Sequence, residues 1–272
     1  MFNSRIIGLR LLGLIVLGGS SVVASSRAHA QEWSAPVRDT SPAFVVDGRI
    51  ALHSFVSLSD GHLQKLADAL SLLATTDAVR SREWARIRGP LADAKRLNVP
   101  ATVWFALPNG TYWTVAQGRV AENLADRPYF PRVLAGETVI GNLVVSRSTK
   151  RNSAIIAVPV RGRDSSVIGV LGASVNLESL AALLRQEMGG MPAGLLFYAI
   201  DAQPLGALNS DSSLIFTEPM KLGDEGMRRA FTEMLSNQQG VVSYAFRGSR
   251  RTVLYRKSPV TGWWYGFGVT QP

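Results

Sequence analysis

The chain has 272 residues, no cysteine and a formal net charge of +9. The absence of cysteine excludes disulfide bonds, thiolate metal sites and cysteine nucleophiles. The basic residues are scattered, whereas nucleic-acid binding favours basic residues clustered on one face with aromatic residues between them. We therefore expect no nucleic-acid partner and a fold stabilised by its packed core.

Residues 1–30 have the layout of a secretory signal peptide. Arg5 and Arg10 give a basic start, an apolar run follows over 11–18, and Ala28-His29-Ala30 is a small-x-small cleavage site. We expect cleavage after Ala30 and a periplasmic product with a formal charge of about +6. The alternative is an uncleaved anchor, but glycine and serine at 18–21 interrupt the run before the roughly 20 apolar residues that a spanning helix needs.

Two helices are predicted in an N-terminal helical region that we place at 31–100. Apolar residues recur at steps of three and four over 52–74, which is typical of an amphipathic helix. Within it, Ser59-Asp60 is a candidate cap and Gly61 a weak point. A second helical pattern covers 81–97, where we expect Pro90 to introduce a kink.

The pattern then changes to strands. Runs rich in β-formers at 101–107 and 112–116 flank Asn109-Gly110, and Asn-Gly between such runs indicates a hairpin. A short helix ending at glycine, three more strands and a helix over 177–187 complete a first module, placed at 101–188. A second, smaller module at 189–272 repeats this order. The predicted fold class is α+β, a long N-terminal helix followed by two modules with antiparallel sheets.

Three segments carry a resemblance to a known family. They read DRPYFPRVLAGE at 126–137, SAIIAVPVRGRDSSVIGVLGASVNLESL at 153–180 and YRKSPVTGWWYGFGV at 255–269. With the order of elements, they resemble the double Cache family of extracellular sensor domains over most of residues 52–270. The resemblance implies a long helix beside two stacked PAS-like modules, of which the first holds a small ligand.

Most members of that family are the outer parts of chemoreceptors, sensor kinases or cyclic-nucleotide enzymes, tethered by a membrane-spanning helix on the C-terminal side. In this sequence no such segment follows the last predicted strand. We therefore expect a stand-alone, soluble, exported sensor protein that signals through a separate membrane receptor or kinase.

The first candidate ligand-binding residues are Arg127, Tyr129 and Phe130. The Arg127 guanidinium is a planar, permanently charged group that matches a carboxylate in bidentate fashion, and the aromatic pair offers an apolar wall. An alternative is an ordinary loop, in which Phe130 fills the core and Arg127 pairs with Asp126 or Glu122 at the surface. The family resemblance favours a pocket.

The resemblance also bears on the class of ligand. In relatives that bind amino acids, acidic residues hold the ligand's ammonium group, and the corresponding positions here are Arg147 and Ser174. Since neither is acidic, the predicted ligand is an organic anion such as a di- or tricarboxylate. A solvated strand-end arginine is the alternative for Arg147. Ser146, Ser174 and Trp113 complete the candidate set, although serines near strand ends are common and a hairpin tryptophan more often belongs to the core.

No pattern in the sequence favours catalysis. His53 and His62 are nine residues apart, which is not a helical metal-ligand spacing, and neither a G-x-S-x-G elbow nor a phosphate-binding glycine loop occurs. We expect no catalytic residue, no metal site and no cofactor. Two alternatives remain to an organic-anion sensor: a periplasmic protein–protein interaction module without a small-molecule ligand, and an enzyme with an unrecognised site.

Overall fold

The N-terminal helix α1 (Gly48–Ala74) is the longest element of the computed structural model, which describes residues 47–271. The predicted signal peptide, its cleavage after Ala30 and residues 31–46 of the predicted helical region lie outside the described residues. Asp47 caps α1, since its carboxylate accepts a hydrogen bond of 2.8 Å from the Arg49 amide. Most of the predicted apolar stripe is buried, including Phe55, Leu63, Leu66 and Leu70.

Ser59 and Asp60 do not cap a helix, because α1 continues through them and through Gly61. Both side chains are buried and face the second sheet. The Ser258 hydroxyl donates to the Asp60 carboxylate at 2.8 Å, and the hydroxyl groups of Ser59 and Tyr265 lie 2.9 Å apart. Burial raises the pKa of Asp60, and the hydrogen bond from Ser258 opposes that rise. This polar cluster fastens α1 to the second sheet.

A short helix α2 (Asp77–Arg80) leads into α3 (Trp84–Arg96), which contains Pro90 and packs against α1 and the first sheet. The first sheet has the strand order β3-β2-β1-β6-β5-β4, with every neighbouring pair antiparallel. Its strands are β1 (Ala101–Ala106), β2 (Thr111–Thr114), β3 (Gly118–Asn123), β4 (Val139–Val145), β5 (Asn152–Arg161) and β6 (Val167–Asn176).

The predicted β1–β2 hairpin is confirmed, and Gly110 in its turn has a φ of 82°, a conformation that favours glycine. The third strand was not predicted, because β3 carries one buried apolar residue among exposed polar ones. Two helices accompany this sheet, α4 (Phe130–Leu134) and α5 (Leu177–Glu187). Helix α5 is capped by Asn176, whose side chain accepts a 2.8 Å hydrogen bond from the Ser179 amide.

The second sheet has the order β8-β7-β11-β10-β9, again with antiparallel neighbours. Arg247 and Gly248 both have positive φ in the two-residue turn between β9 and β10, which matches the twist of a hairpin. The elements after α5 are β7 (Leu195–Ile200), β8 (Gly206–Asn209), a 3₁₀ turn (Ser212–Leu214), α6 (Pro219–Leu222), α7 (Glu225–Ser236), β9 (Gln239–Phe246), β10 (Ser249–Lys257) and β11 (Trp264–Gln271).

Each sheet has two covered faces. One face of both sheets packs with α1 into a shared core that includes Phe55, Phe105 and Phe197. The other face of each sheet has a smaller apolar cluster of its own, beneath α4 in the first sheet and beneath α7 in the second. The predicted α+β class, with a long helix and two antiparallel sheets, is confirmed, and the module boundaries stay a prediction. Within 47–271, no helix is long and apolar enough to cross a membrane.

Candidate functional site

A small cavity lies on the face of the first sheet that points away from α1. The segment between β3 and α4 covers it, and the strands β1, β2, β4, β5 and β6 contribute its floor and sides. Its lining residues are Trp104, Tyr112, Leu124, Arg127, Tyr129, Val144, Ser146, Arg147, Ser148, Ile155 and Ser174.

Three aromatic side chains form the inner wall. Trp104 and Tyr112 project from the same face of the β1–β2 hairpin, and Tyr129 reaches them from the covering segment. The ring centre of Trp104 lies 6.5 Å from that of Tyr112 and 6.4 Å from that of Tyr129. The Trp104 indole N–H donates to the Ser174 hydroxyl at 3.3 Å. These rings leave a narrow space edged by polar groups.

Arg127 lies at the edge of this space and is half-buried. Its Nη2 donates a hydrogen bond of 2.8 Å to the carbonyl oxygen of Val145, at the end of β4. The alternative pairing of Arg127 with Asp126 or Glu122 does not occur. Instead Asp126 pairs with Arg147 and Glu122 pairs with Lys150. One backbone contact therefore holds the guanidinium of Arg127, which forms no ion pair with a carboxylate of the described residues.

Arg147 reaches the cavity from the opposite side, just after β4. Its guanidinium forms an ion pair of 2.6 Å with Asp126 and also donates to the carbonyl oxygen of Asn123. The hydrogen bond from Arg147 holds the pKa of the exposed Asp126 below its usual value. The ion pair thus joins the covering segment to the loop after β4 and closes the outer side of the cavity.

The Tyr112 hydroxyl is buried in the cavity wall, and no described group meets hydrogen-bond geometry with it. The Ser148 hydroxyl approaches it and lowers its pKa slightly, but the larger effect is burial, which raises that pKa. Burial also raises the pKa of Tyr129. Both phenols therefore stay protonated at neutral pH and keep an O–H to donate.

The electrostatics of the lining favour negative charge. It contains two guanidinium groups, an indole N–H and several hydroxyl groups, and none of the lining residues that the structure describes carries a carboxylate. The space itself is small, with a volume of about 10 Å³, close to the minimum that holds one water molecule. Most of the site is therefore occupied by its own side chains.

The structure brings together five of the seven predicted site residues: Arg127, Tyr129, Ser146, Arg147 and Ser174 all line the cavity. Phe130 is buried in the apolar cluster beneath α4 without lining the space. Whether any of these residues binds a ligand stays a prediction.

Trp113 requires a correction. Its register opposite Phe105 places it on the other face of the sheet, where the two rings stack with centres 6.4 Å apart. Tyr112 and Trp104 also line the cavity, and neither was among the predicted site residues. Both could have been found from the alternation of side chains along a strand. Trp104 and Tyr112 lie on the same face of the sheet, whereas Trp113 lies on the opposite face.

No protein-family model and no curated protein sequence matches the chain. Solved structures do resemble it. The ligand-binding domain of the Pseudomonas aeruginosa PAO1 amino acid chemoreceptor PctB, in complex with L-Arg, matches with a TM-score of 0.65 and 14% identity, over 81% of this chain and 94% of that one. The extracellular domain of the putative histidine kinase rpHK1S-Z16 matches with a TM-score of 0.67 and 15% identity, over 82% and 92%.

The periplasmic sensory domain of the Campylobacter jejuni chemoreceptor Tlp1 matches with a TM-score of 0.62 and 13% identity, over 81% of this chain and 92% of that one. At these identities the likeness shows the fold alone. The chain therefore shares the fold of these three domains.

Proposed function

We propose that the protein is an exported sensor that binds a small organic anion, a carboxylate, in the cavity of the first sheet. The observation that carries the proposal is the lining itself, in which Arg127 and Arg147 face one space without a lining carboxylate. An amino acid would bring an ammonium group, and the lining offers that group no acidic partner. A carboxylate finds two guanidinium groups and the free Tyr112 hydroxyl.

Binding requires the cavity to open, because ligand pockets usually measure about 300–1,000 Å³ and this one is far smaller. The ion pair that closes the cavity is weak enough to break when a ligand enters. The Arg147–Asp126 pair is partly exposed, with 24% and 69% of the side-chain surfaces accessible, and solvent screening makes such pairs weak. A ligand carboxylate would replace Asp126 as the partner of Arg147 and hold the covering segment in a new position.

The proposed sensing role also includes a membrane partner. The solved neighbours are the outer domains of chemoreceptors and of a putative histidine kinase. By analogy with them, we propose that this chain acts in the periplasm and passes its ligand-dependent change to a membrane receptor or kinase.

The class of ligand is tested by a thermal-shift screen of the purified protein against dicarboxylates, tricarboxylates, amino acids, purines and polyamines. A ligand that binds only the folded state adds about 2.7 kcal/mol of stability at a hundredfold excess over its dissociation constant. We expect organic acids to raise the unfolding midpoint and the other classes to leave it unchanged. Stabilisation by amino acids, but not by organic acids, would contradict the proposal.

A second candidate function is a protein–protein interaction module without a small ligand. Two observations favour it: the first-sheet cavity is almost filled, and Ile50 and Val241 are 61% and 53% exposed on a groove between the start of α1 and β9. Flat curves across the whole screen, together with capture of a membrane protein that Val241→Glu abolishes, would favour this function instead.

A further inference from the structure

The second sheet carries a cavity of its own, in the equivalent position between the sheet and its covering helices. Tyr198 on β7 and Tyr244 on β9 form the floor, and Leu214, Met227 and Phe231 cover it from the 3₁₀ turn and α7. Its volume is about 30 Å³, roughly that of one methyl group and larger than the cavity of the first sheet. The lining is mainly apolar.

The distinctive polar group of this cavity is Arg251 on β10. Its Nε is buried without a hydrogen-bond partner among the described residues, and none of the ion pairs within 47–271 includes it. The guanidinium lies over the Phe246 ring, 4.6 Å from the ring centre. The Tyr244 hydroxyl lies within hydrogen-bonding reach of the same guanidinium. Because a buried donor without a partner destabilises the fold, the Nε–H group of Arg251 has binding capacity that the chain leaves unused.

The cavity lies next to a surface groove of about 400 Å³, and Leu222 and Phe246 line both. Arg251 lines the cavity and is half-buried, so its side chain is partly accessible to solvent. An anionic head group would meet the guanidinium there, while the apolar space beyond accepts one or two carbon atoms.

We propose that the cavity of the second sheet binds a short aliphatic monocarboxylate, with its carboxylate on Arg251 and its alkyl end against Leu214 and Met227. None of its described lining residues is acidic, which disfavours a cationic ligand. The small apolar volume disfavours di- and tricarboxylates, because a second charge would enter it without a partner. This site is independent of the one proposed for the first sheet.

The test is calorimetric titration of the purified protein with formate, acetate, propionate, butyrate and hexanoate, with propionamide and propylamine as neutral and cationic controls. We expect binding to be strongest for acetate or propionate and to weaken at hexanoate, since the cavity limits the chain length. Propionamide and propylamine are expected to give no heat. This series uses only the wild-type protein. An affinity that rises steadily up to hexanoate would overturn the proposal, and so would the absence of binding by every acid.

Two arginine variants on one strand then locate the site. Arg251→Gln should weaken propionate binding roughly ten- to a hundredfold, through loss of a charged hydrogen-bond partner. Arg250→Gln, the exposed neighbour on the opposite face, makes the same charge change and should leave the affinity as in the wild type. Arg127→Gln should also leave it unchanged. If Arg127→Gln abolishes propionate binding and Arg251→Gln does not, the second site is refuted while the first is supported.

Discussion

Replacing Gly172 by alanine should destabilise the protein and distort the first-sheet cavity. A Cβ at this position of β6 would overlap the Trp104 ring and lie 2.5 Å from its Cε2 atom, against about 3.5–4.0 Å for an unstrained carbon contact. Trp104 cannot easily move, because it is buried, touches Tyr112 and Tyr129, and donates to Ser174. The overlap therefore has to be relieved by displacing the aromatic wall.

Overpacking of this kind costs about 1–3 kcal/mol, and a glycine-to-alanine change returns about 0.4–1 kcal/mol by restricting the unfolded chain. We expect a net loss of about 1–2 kcal/mol, which corresponds to a fall of about 2–8 °C in the unfolding midpoint. Urea unfolding followed by tryptophan fluorescence measures the loss. Near-UV circular dichroism should change with it, since the environment of Trp104 changes.

Gly169→Ala is the matched control, because it makes the same change in the same strand but meets the Phe105 ring at 2.8 Å on the α1 side of the sheet. It should cost less than Gly172→Ala and leave organic-acid binding intact, whereas Gly172→Ala should abolish that binding. A Gly172→Ala protein with wild-type stability and an unchanged near-UV spectrum would refute the reasoning about the aromatic wall.

Three further predictions concern polar contacts. Asp126→Asn frees Arg147 and should tighten organic-acid binding about 1.5- to 5-fold in calorimetry, because an exposed ion pair is weak; weaker binding would contradict the closing role of that pair. The pKa of Asp60 is higher in the folded state than its usual value of 3.8, so its contribution to the free energy of unfolding falls as pH rises from 3.8 through the folded-state pKa. Asp60→Asn lacks this titration. Urea titrations should therefore show the variant gaining stability relative to the wild type over that pH range. Asn176→Ala removes the cap on the Ser179 amide and should cost about 0.5–2 kcal/mol in the same assay, with Ser165→Ala in an exposed turn as the control.

Much of the fold could be predicted from local patterns in the sequence. The three- and four-residue spacing of apolar residues located α1, and Asn109-Gly110 located the first hairpin, because both signals act within a few residues. The roles of Ser59 and Asp60 could not be found in this way, since their partners Ser258 and Tyr265 lie about 200 positions further along the chain.

The residues of the candidate site also differ in whether a local sequence pattern could predict them. Arg127 and Tyr129 were found because they belong to one short motif, and Arg147 and Ser174 because the family resemblance placed them. Trp113 was misplaced because hairpin register decides which of two adjacent aromatic residues faces the cavity. The ion pair between Arg147 and Asp126 depends on the packing of two separate segments, which no local pattern encodes.

Arg127 is the residue that we propose holds a ligand carboxylate in the first-sheet cavity. The most direct test is calorimetric titration of the most stabilising organic acid of the screen into the wild type, Arg127→Gln and Arg163→Gln, the last an exposed arginine in the β5–β6 turn of the same sheet. We expect Arg127→Gln to weaken binding at least about tenfold, since it removes a charged partner, while Arg163→Gln binds like the wild type. Equal affinity in all three proteins would show that Arg127 does not hold the ligand.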